Sequence, residues 1–348
     1  MAGVVLGGED LRAFVAAIFV KHGMRADYAA TLADVLVWAD LRGIDSHGVE
    51  RVPRYLDLVA RGDIDLKGEP QMQAVADALF LIDGGNQFGA VPMSLEMREA
   101  VARARRSGIA LGTIRRFGHS GALGFYAQWI ARQGMAAIGM GSGMPLMAYH
   151  GAKAASLSTS PLAIAVPGGP SGVTMLDMAS SIIANGRLRL AQRNNEEIPP
   201  GMALDQDGEP TTDPARAVIP LPVGGPKGAG LALMFECLTS ILAGAPVLTA
   251  MLGPGKKPRH TQSQTVIAID IAKFRPIEEF VSDIDLLDTV IHALPRLDPD
   301  EPIRIPGERA EKEAAQRAQS GIPLSDRLRR QLVEIAEKAG VTPPPAML

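Results

Sequence analysis

The feature that most constrains this chain is a segment where three kinds of local order meet. Ile109-Ala-Leu-Gly-Thr-Ile114 leads into Arg115-Arg-Phe-Gly-His-Ser-Gly-Ala122, which leads into Leu123-Gly-Phe-Tyr-Ala-Gln-Trp-Ile130. The first part is apolar, follows Gly108 and reads as a short buried strand. The third sets Leu123, Tyr126, Ala127 and Ile130 at helical spacing, with Gly134 placed to stop the helix. His119 therefore falls in a tight strand-to-helix turn with glycines on either side. Glycine lets backbone approach a ligand and tolerates φ values that other residues avoid. An imidazole beside a helix N-terminus, titrating near neutrality, is placed to exchange a proton with a bound molecule. A histidine in a glycine-rich surface turn is the alternative reading of the same residues.

With 348 residues, 47% of them hydrophobic, the chain has ample core, and its length suits about two domains or one large α/β unit. The 35 basic and 38 acidic residues leave a net charge of −3 and make no electrostatic case for nucleic acid or an anionic membrane. Cys237 stands alone, which excludes an intramolecular disulfide. The histidines (His22, His47, His119, His150, His260 and His292) form neither H-x-H nor H-E-x-x-H, so no metal is expected. No G-x-S-x-G elbow is present. With no basic n-region and no apolar run of membrane-spanning length, the expectation is a cytoplasmic enzyme.

Read in order, residues 9–43 give two amphipathic helices, with apolar stripes at Leu11, Phe14, Val15, Ile18 and at Leu32, Val35, Leu36, Leu41. Asp45 or Ser46 then caps a helix carrying Arg51, Arg54 and Tyr55. His47 and Arg51, four apart, share one face of it. An arginine there offers a two-pronged contact to a carboxylate, or belongs to an ordinary solvated helix. A strand or hairpin spans 74–83, a helix opens at Pro92 and stops at Gly108, and 136–140 is a strand. Further strands are expected at 157–166, 173–183 and 265–271, and a polar loop at 199–216. Asp177 lies inside the apolar run Leu176-Asp-Met178, so it is either a satisfied structural acid or a ligand contact. Leu231–Leu242 reads as a helix buried nearly all round apart from Glu236. Helices at 277–294, 307–319 and 325–339 precede a frayed tail beginning at Pro343.

Two glycine runs imitate phosphate loops. Gly139-x-Gly141-x-Gly143 has its third glycine one place early and Pro145 where a helix would propagate, so it reads as a turn rather than a Rossmann loop. Gly224-Gly-Pro-Lys-Gly-Ala-Gly230 lacks the Ser or Thr that follows a P-loop lysine.

Taken together, Asp45-Ser-His-Gly-Val-Glu-Arg51 with Tyr55, Gly118-His-Ser-Gly-Ala-Leu-Gly-Phe-Tyr126, Leu176-Asp-Met-Ala-Ser-Ser181, Pro210-Thr-Thr-Asp-Pro214, Gly224–Gly230, Ile305-Pro-Gly-Glu308 and Gly321-Ile-Pro-Leu324 carry a resemblance over nearly the whole chain. In this order they resemble the second, non-Rossmann type of the malate/L-lactate dehydrogenase family, which includes ureidoglycolate and sulfolactate dehydrogenases and some cyclic-imine reductases. The resemblance implies an α/β fold whose NAD(P)-binding mixed sheet (73–274) has flanking helices and the dimerisation surface. It also implies a helical domain built from 1–72 and 275–348. It implies His119 as the catalytic proton donor/acceptor and Ser46, Arg51, Tyr55 and His119 around a carboxylate substrate. His47, Leu123, Gly124, Phe125, Asp177, Met178, Ala179 and Lys227 are implied at NAD or NADP, with NAD favoured. Phosphate contacts are expected from backbone N–H groups of Leu123–Phe125 and from Lys227. The activity implied is interconversion of a 2-hydroxy acid and its 2-oxo acid in a homodimer. Reduction of a cyclic imine carboxylate, or a nucleotide-binding sensor without catalysis, are the alternatives. Arg116-Phe117-Gly118, Ser158-Thr159-Ser160-Pro161 and Gly225-Pro226-Lys227-Gly228-Ala229-Gly230 depart from the family's common motifs close to the expected pocket.

Overall fold

The computed structural model describes residues 4–247 and 261–348, and His260 lies outside the described residues. The two N-terminal stripes become α1 (Gly8–Lys21) and α2 (Ala26–Leu41), which pack together through Leu11, Phe14, Val15, Ile18, Leu32, Val35 and Leu36, all buried. The end of the chain returns to this layer. Val4–Leu6 (β1) pairs antiparallel with Ile322–Leu324 (β14), α9 (Glu308–Ser320) packs on α2, and α10 (Asp326–Ala339) packs on α1 and α3 (Val52–Ala60). Ser325 caps α10 by accepting from the Leu328 N–H.

The other layer is a seven-stranded mixed sheet in the order β2 (Gln71–Ala74), β3 (Leu79–Asp83), β4 (Ile109–Phe117), β13 (Gln262–Asp270), β5 (Met135–Ser142), β8 (Leu162–Pro167) and β9 (Val173–Met178). Only β3 and β4 are parallel, joined by α4 (Ala90–Ser107); every other neighbour is antiparallel. This is no doubly wound sheet, and β13 enters its centre from late in the chain. One face carries Phe80, Ile82, Ala110, Ile114, Ala137, Ala163, Ala165, Val266 and Ala268, buried under α4 and α5 (Gly124–Ala131). Its many alanines let those helices approach closely. One buried cluster runs from Leu11 and Phe19 through Ala100 and Val101 to Ala137 and Val266, across the boundary expected near residue 72. A satisfied polar network also ties the layers: Trp38 Nε1 and Arg42 donate to Gln128 Oε1 (2.9 and 3.0 Å), and Gln128 Nε2 and Arg42 donate to Glu311.

The opposite sheet face bears Leu79, Ile109, Leu111, Ile138, Ile164 and Ile267, with its upper end covered by α7 (Pro226–Glu236) and a π-helical turn, Cys237–Ile241. Here the apolar helix expected at 231–242 is turned inside out. Glu236, Thr239 and Ser240 face the sheet, where Ser142 meets both hydroxyls (2.7 and 2.6 Å) and Thr265 donates to the Leu238 carbonyl (2.7 Å). Leu233, Met234, Leu238, Ile241 and Leu242 are 43–53% exposed.

Other expectations change as well. Gly139 and Gly141 lie within β5, paired with β13, and do not form a turn. Residues 157–166 split at Ser158–Pro161 into β7 (Ala155–Leu157) and β8, and β9 ends at Met178. Inside the polar stretch 199–216 and just beyond it lie strands Ala203–Leu204, Pro210–Thr211 and Ile219–Pro220. With α6 (Asn185–Asn194), which the spacing did not predict, they form a satellite around Ile183, Leu188, Ala191, Ile198, Ala203 and Ala217. The tail is packed, with Met347 fully buried.

Candidate functional site

The turn after β4 is pinned from every side. Gly118 N–H donates to the Gln87 carbonyl (2.8 Å), Gly89 N–H to the His119 carbonyl (3.1 Å), Ser120 N–H to Gln262 Oε1 (2.9 Å), and Tyr126 OH to the Ser120 carbonyl (2.7 Å). His119 Nδ1 accepts from Gly121 N–H (3.1 Å) and lies 2.7 Å from the Tyr55 hydroxyl. A backbone N–H only donates, so the neutral ring carries its proton on Nε2. Tyr55 is itself held by stacking on Phe88, ring centroids 4.6 Å apart, and burial raises its pKa well above the usual phenol value.

The 45–55 segment differs from the single capped helix expected. Asp45–His47 is one 3-10 turn, Gly48 is extended, Val49–Arg51 is a second turn, and α3 starts at Val52 with Pro53 in its first turn. Neither Asp45 nor Ser46 caps it, and His47 and Arg51 do not lie on a common helix face. The break at Gly48 folds them together instead. The His47 ring lies 5.4 Å from that of His119, and Ser46 Oγ lies 3.0 Å from His47 Nδ1. Burial, then the charges of Arg51 and Arg189, push His47 down to about 3, so it is neutral at physiological pH. Arg51 donates through Nε to the Ser46 carbonyl; burial lowers its pKa most, with Tyr55 opposing and Arg189 adding repulsion.

A residue the spacing did not flag organises this segment. Asp40, 3% exposed, accepts from Val49 N–H at 2.8 Å, and burial raises its carboxyl well above the usual range despite that bond. A Cβ on Gly48 would lie 1.7 Å from Asp40 Oδ1, so only glycine fits. The signal was visible: an acid inside the apolar run Val35-Leu-Val-Trp-Ala-Asp-Leu41, the same anomaly that drew attention to Asp177. Gln262, which holds Ser120, carried no such signal.

Ser46, His47, Arg51, Tyr55 and His119 thus converge. Asp177 joins the far side of the turn by accepting from Gly124 N–H at 2.8 Å. Solvent reaches Asp177, yet the protein crowded round its carboxyl pushes it up to about 6, the Gly124 bond opposing. Two of the N–H groups expected to be free at Leu123–Phe125 are spent, Gly124 on Asp177 and Phe125 on the Ala122 carbonyl. Met178 and Ala179 continue from β9 towards Ser180, whose carbonyl accepts from Val223 N–H just before α7. Lys227 is exposed in that first turn. Among the described residues no group of His, Cys, Asp and Glu could hold a metal ion, and no helix is long and apolar enough to cross a membrane.

A sequence model of the malate/L-lactate dehydrogenase family matches residues 7–333. Malate/(S)-sulfolactate dehydrogenase of Methanothermus fervidus is 34% identical over 346 residues, 97% of this chain and 99% of that protein. The solved sulfolactate dehydrogenase of Methanocaldococcus jannaschii superposes with a TM-score of 0.88 at 35% identity, covering 97% of this chain and 98% of that one. The Delta(1)-pyrroline-2-carboxylate/Delta(1)-piperideine-2-carboxylate reductase of Pseudomonas putida is 34% identical over 239 residues, 68% of this chain and 70% of that protein. This chain therefore belongs to the malate/L-lactate dehydrogenase family, an oxidoreductase of a kind that works with a nicotinamide cofactor.

Proposed function

We propose that the protein interconverts a 2-hydroxy acid and its 2-oxo acid, with NAD the first cofactor to test and NADP beside it. The observation that carries this reading is the convergence of a tethered imidazole and a carboxylate-sized cation: His119, fixed at Nδ1 by Gly121 and Tyr55, next to Arg51. With Nδ1 accepting from Gly121, the ring's proton sits on Nε2, and that is the nitrogen this reading uses toward the substrate oxygen. It passes its proton to that oxygen in reduction and takes it back in oxidation. Arg51 holds the carboxylate with Ser46 beside it, neutral His47 adjoins the cofactor, and Tyr55 steadies the ring.

The residues present fit a dinucleotide. Asp177 spends only Oδ2 on Gly124, leaving Oδ1 to accept from a ribose or carboxamide donor, and exposed Lys227 has no ion pair among the described residues and suits a phosphate. Met178, Ala179 and the Leu123-Gly124-Phe125 turn complete that side. When bound, the cofactor supplies the hydride exchanged with C2. We assign the cofactor-binding unit to 73–274, the helical unit to 1–72 with 275–348, and the cytoplasm as the working location.

A homodimer is part of the same reading. The outward sheet face with Ile109 and Ile164, together with Leu238, Ile241 and Leu242, exposes large apolar side chains that a second copy would cover symmetrically. Reduction of a cyclic imine carboxylate is the second reading, favoured by the Pseudomonas putida relative. The deciding experiment is turnover of a panel of 2-oxo acids and cyclic imines with NADH and NADPH, by wild type and His119→Ala. The expected result is 2-oxo acid reduction, lowered about 10²–10⁴-fold in the variant with cofactor binding kept. Imine turnover alone defeats the reading, and an unaffected variant removes His119 from the chemistry.

A further inference from the structure

The satellite that carries α6 reaches the 45–51 segment at two points. A Cβ on Gly186 would meet Ser46 Cβ at 2.4 Å, so the helix backbone sits directly on Ser46. Seven residues on, Arg193 pairs with Glu50 at 2.9 Å. Arg189 lies three residues after the first contact and four before the second, on the same stripe of α6, and is thus held above His47 and Arg51. Its effect on both groups agrees: burial acts most on each, and the Arg189 charge adds to lowering both pKa values.

The nearby acids are already committed. Glu50 is shared between Arg193 and Arg327, Asp45 pairs with Arg317, and Asp40 is buried against Val49. Arg51 and Arg189 therefore face the same space, and neither forms an ion pair with a carboxylate among the described residues. Two like charges held together cost free energy unless an anion answers both. One carboxylate satisfies Arg51. Arg189, exposed and on a separately packed satellite, is left for something else on the same substrate.

We infer that Arg189 is a specificity-determining residue which receives a second anionic group of the substrate, so that the enzyme favours 2-oxo and 2-hydroxy acids with two negative charges over those with one. This rests on the dehydrogenase reading above and sharpens it. A cyclic imine carboxylate has no second anion to offer.

The test compares oxaloacetate with 2-oxobutanoate, four-carbon 2-oxo acids that differ in a terminal carboxylate against a methyl group. Steady-state reduction is measured for wild type, Arg189→Gln and Arg189→Lys, with Arg51→Lys alongside. Wild type is expected to prefer oxaloacetate. Arg189→Gln should cut the ratio of kcat/KM values about 10- to 100-fold, chiefly through KM for oxaloacetate, as loss of a charge-assisted contact does. Arg189→Lys should restore part of it, and Arg51→Lys should raise KM for both acids. A wild-type preference for 2-oxobutanoate, or equal losses on both acids in Arg189→Gln, overturns the inference while leaving the dehydrogenase reading intact. Turnover of imines with neither acid reduced brings down that reading, and the inference with it.

Discussion

Replacing Gly48 with alanine is a one-methyl test of how the site is held. Gly48 has φ −88° and ψ −154°, extended backbone that alanine adopts freely, so no conformational penalty confuses the result. The methyl would instead lie 1.7 Å from Asp40 Oδ1 and 2.2 Å from Cγ. Ordinary contact needs about 3.5 Å, so the two groups must separate by about 1.5–2 Å. Asp40 is buried and bonded to Val49 N–H, so much of that movement falls on the backbone between His47 and Arg51. Displacement of about 1 Å at reacting groups costs on the order of 10²-fold, and overpacking itself about 1–3 kcal/mol. The expected result for Gly48→Ala is therefore a fall of about 10²-fold in kcat/KM for a 2-oxo acid, with a lowered Tm.

A second substitution separates the clash from any other cause. Asp40→Ala alone leaves the Val49 N–H without its acceptor, at a cost of about 1–3 kcal/mol. Combined with Gly48→Ala it makes room for the methyl, so the double variant should be more active than the product of the two single losses, with a coupling of about 1 kcal/mol or more. Activity of Gly48→Ala within twofold of wild type, or strict additivity in the cycle, refutes the claim that this contact positions His47 and Arg51.

The remaining expectations address the cofactor side and assembly. Lys227→Ala should weaken NADH binding in a fluorescence titration, while Gly141→Ala, inside β5, should not; the reverse pattern would return the phosphates to the glycine run. Asp177, at about 6 instead of 3.8, loses its charge as pH falls through 6, so NADH affinity should drop there, and the drop should vanish in Asp177→Asn. Because the folded state holds that proton more tightly than the unfolded chain, this group favours folding below about pH 4 and that benefit disappears as pH rises through 6. Ile241→Glu should convert a dimer into a monomer in light scattering coupled to size exclusion, and an unchanged mass would free that face of a role in assembly.

What the sequence made legible was whatever local chemistry determines. The stripes of α1 and α2, the stop at Gly108 and the strand leading into the His119 turn all follow from periodicity and glycine, and they formed as read. Tertiary partners were not legible. Spacing put His47 and Arg51 on one helix because it could not see that Asp40, five residues before Asp45, would claim the Val49 N–H and bend the chain at Gly48. Nor could it see that the strand expected at 136–140 would run on through Gly141, since its pairing partner β13 lies more than a hundred residues away.

The helix after Lys227 shows the deeper reason. Periodicity reports which residues alternate, but not which side of the pattern meets the protein's own core. Glu236, Thr239 and Ser240 share one face of this segment, and an apolar run with a few polar residues reads as buried all round with one charge pointing out. The sheet it lands on is polar at that spot: Thr113, Ser142 and Thr265 stand on the upper end of the outward face, and hydroxyls across the contact satisfy one another and the Leu238 carbonyl. Once those groups are paired, the π-helical turn is fixed, and Leu238, Ile241 and the following Leu242 have nowhere to go but outward. The same choice of partners that inverts the helix therefore also builds the apolar surface proposed for a second copy.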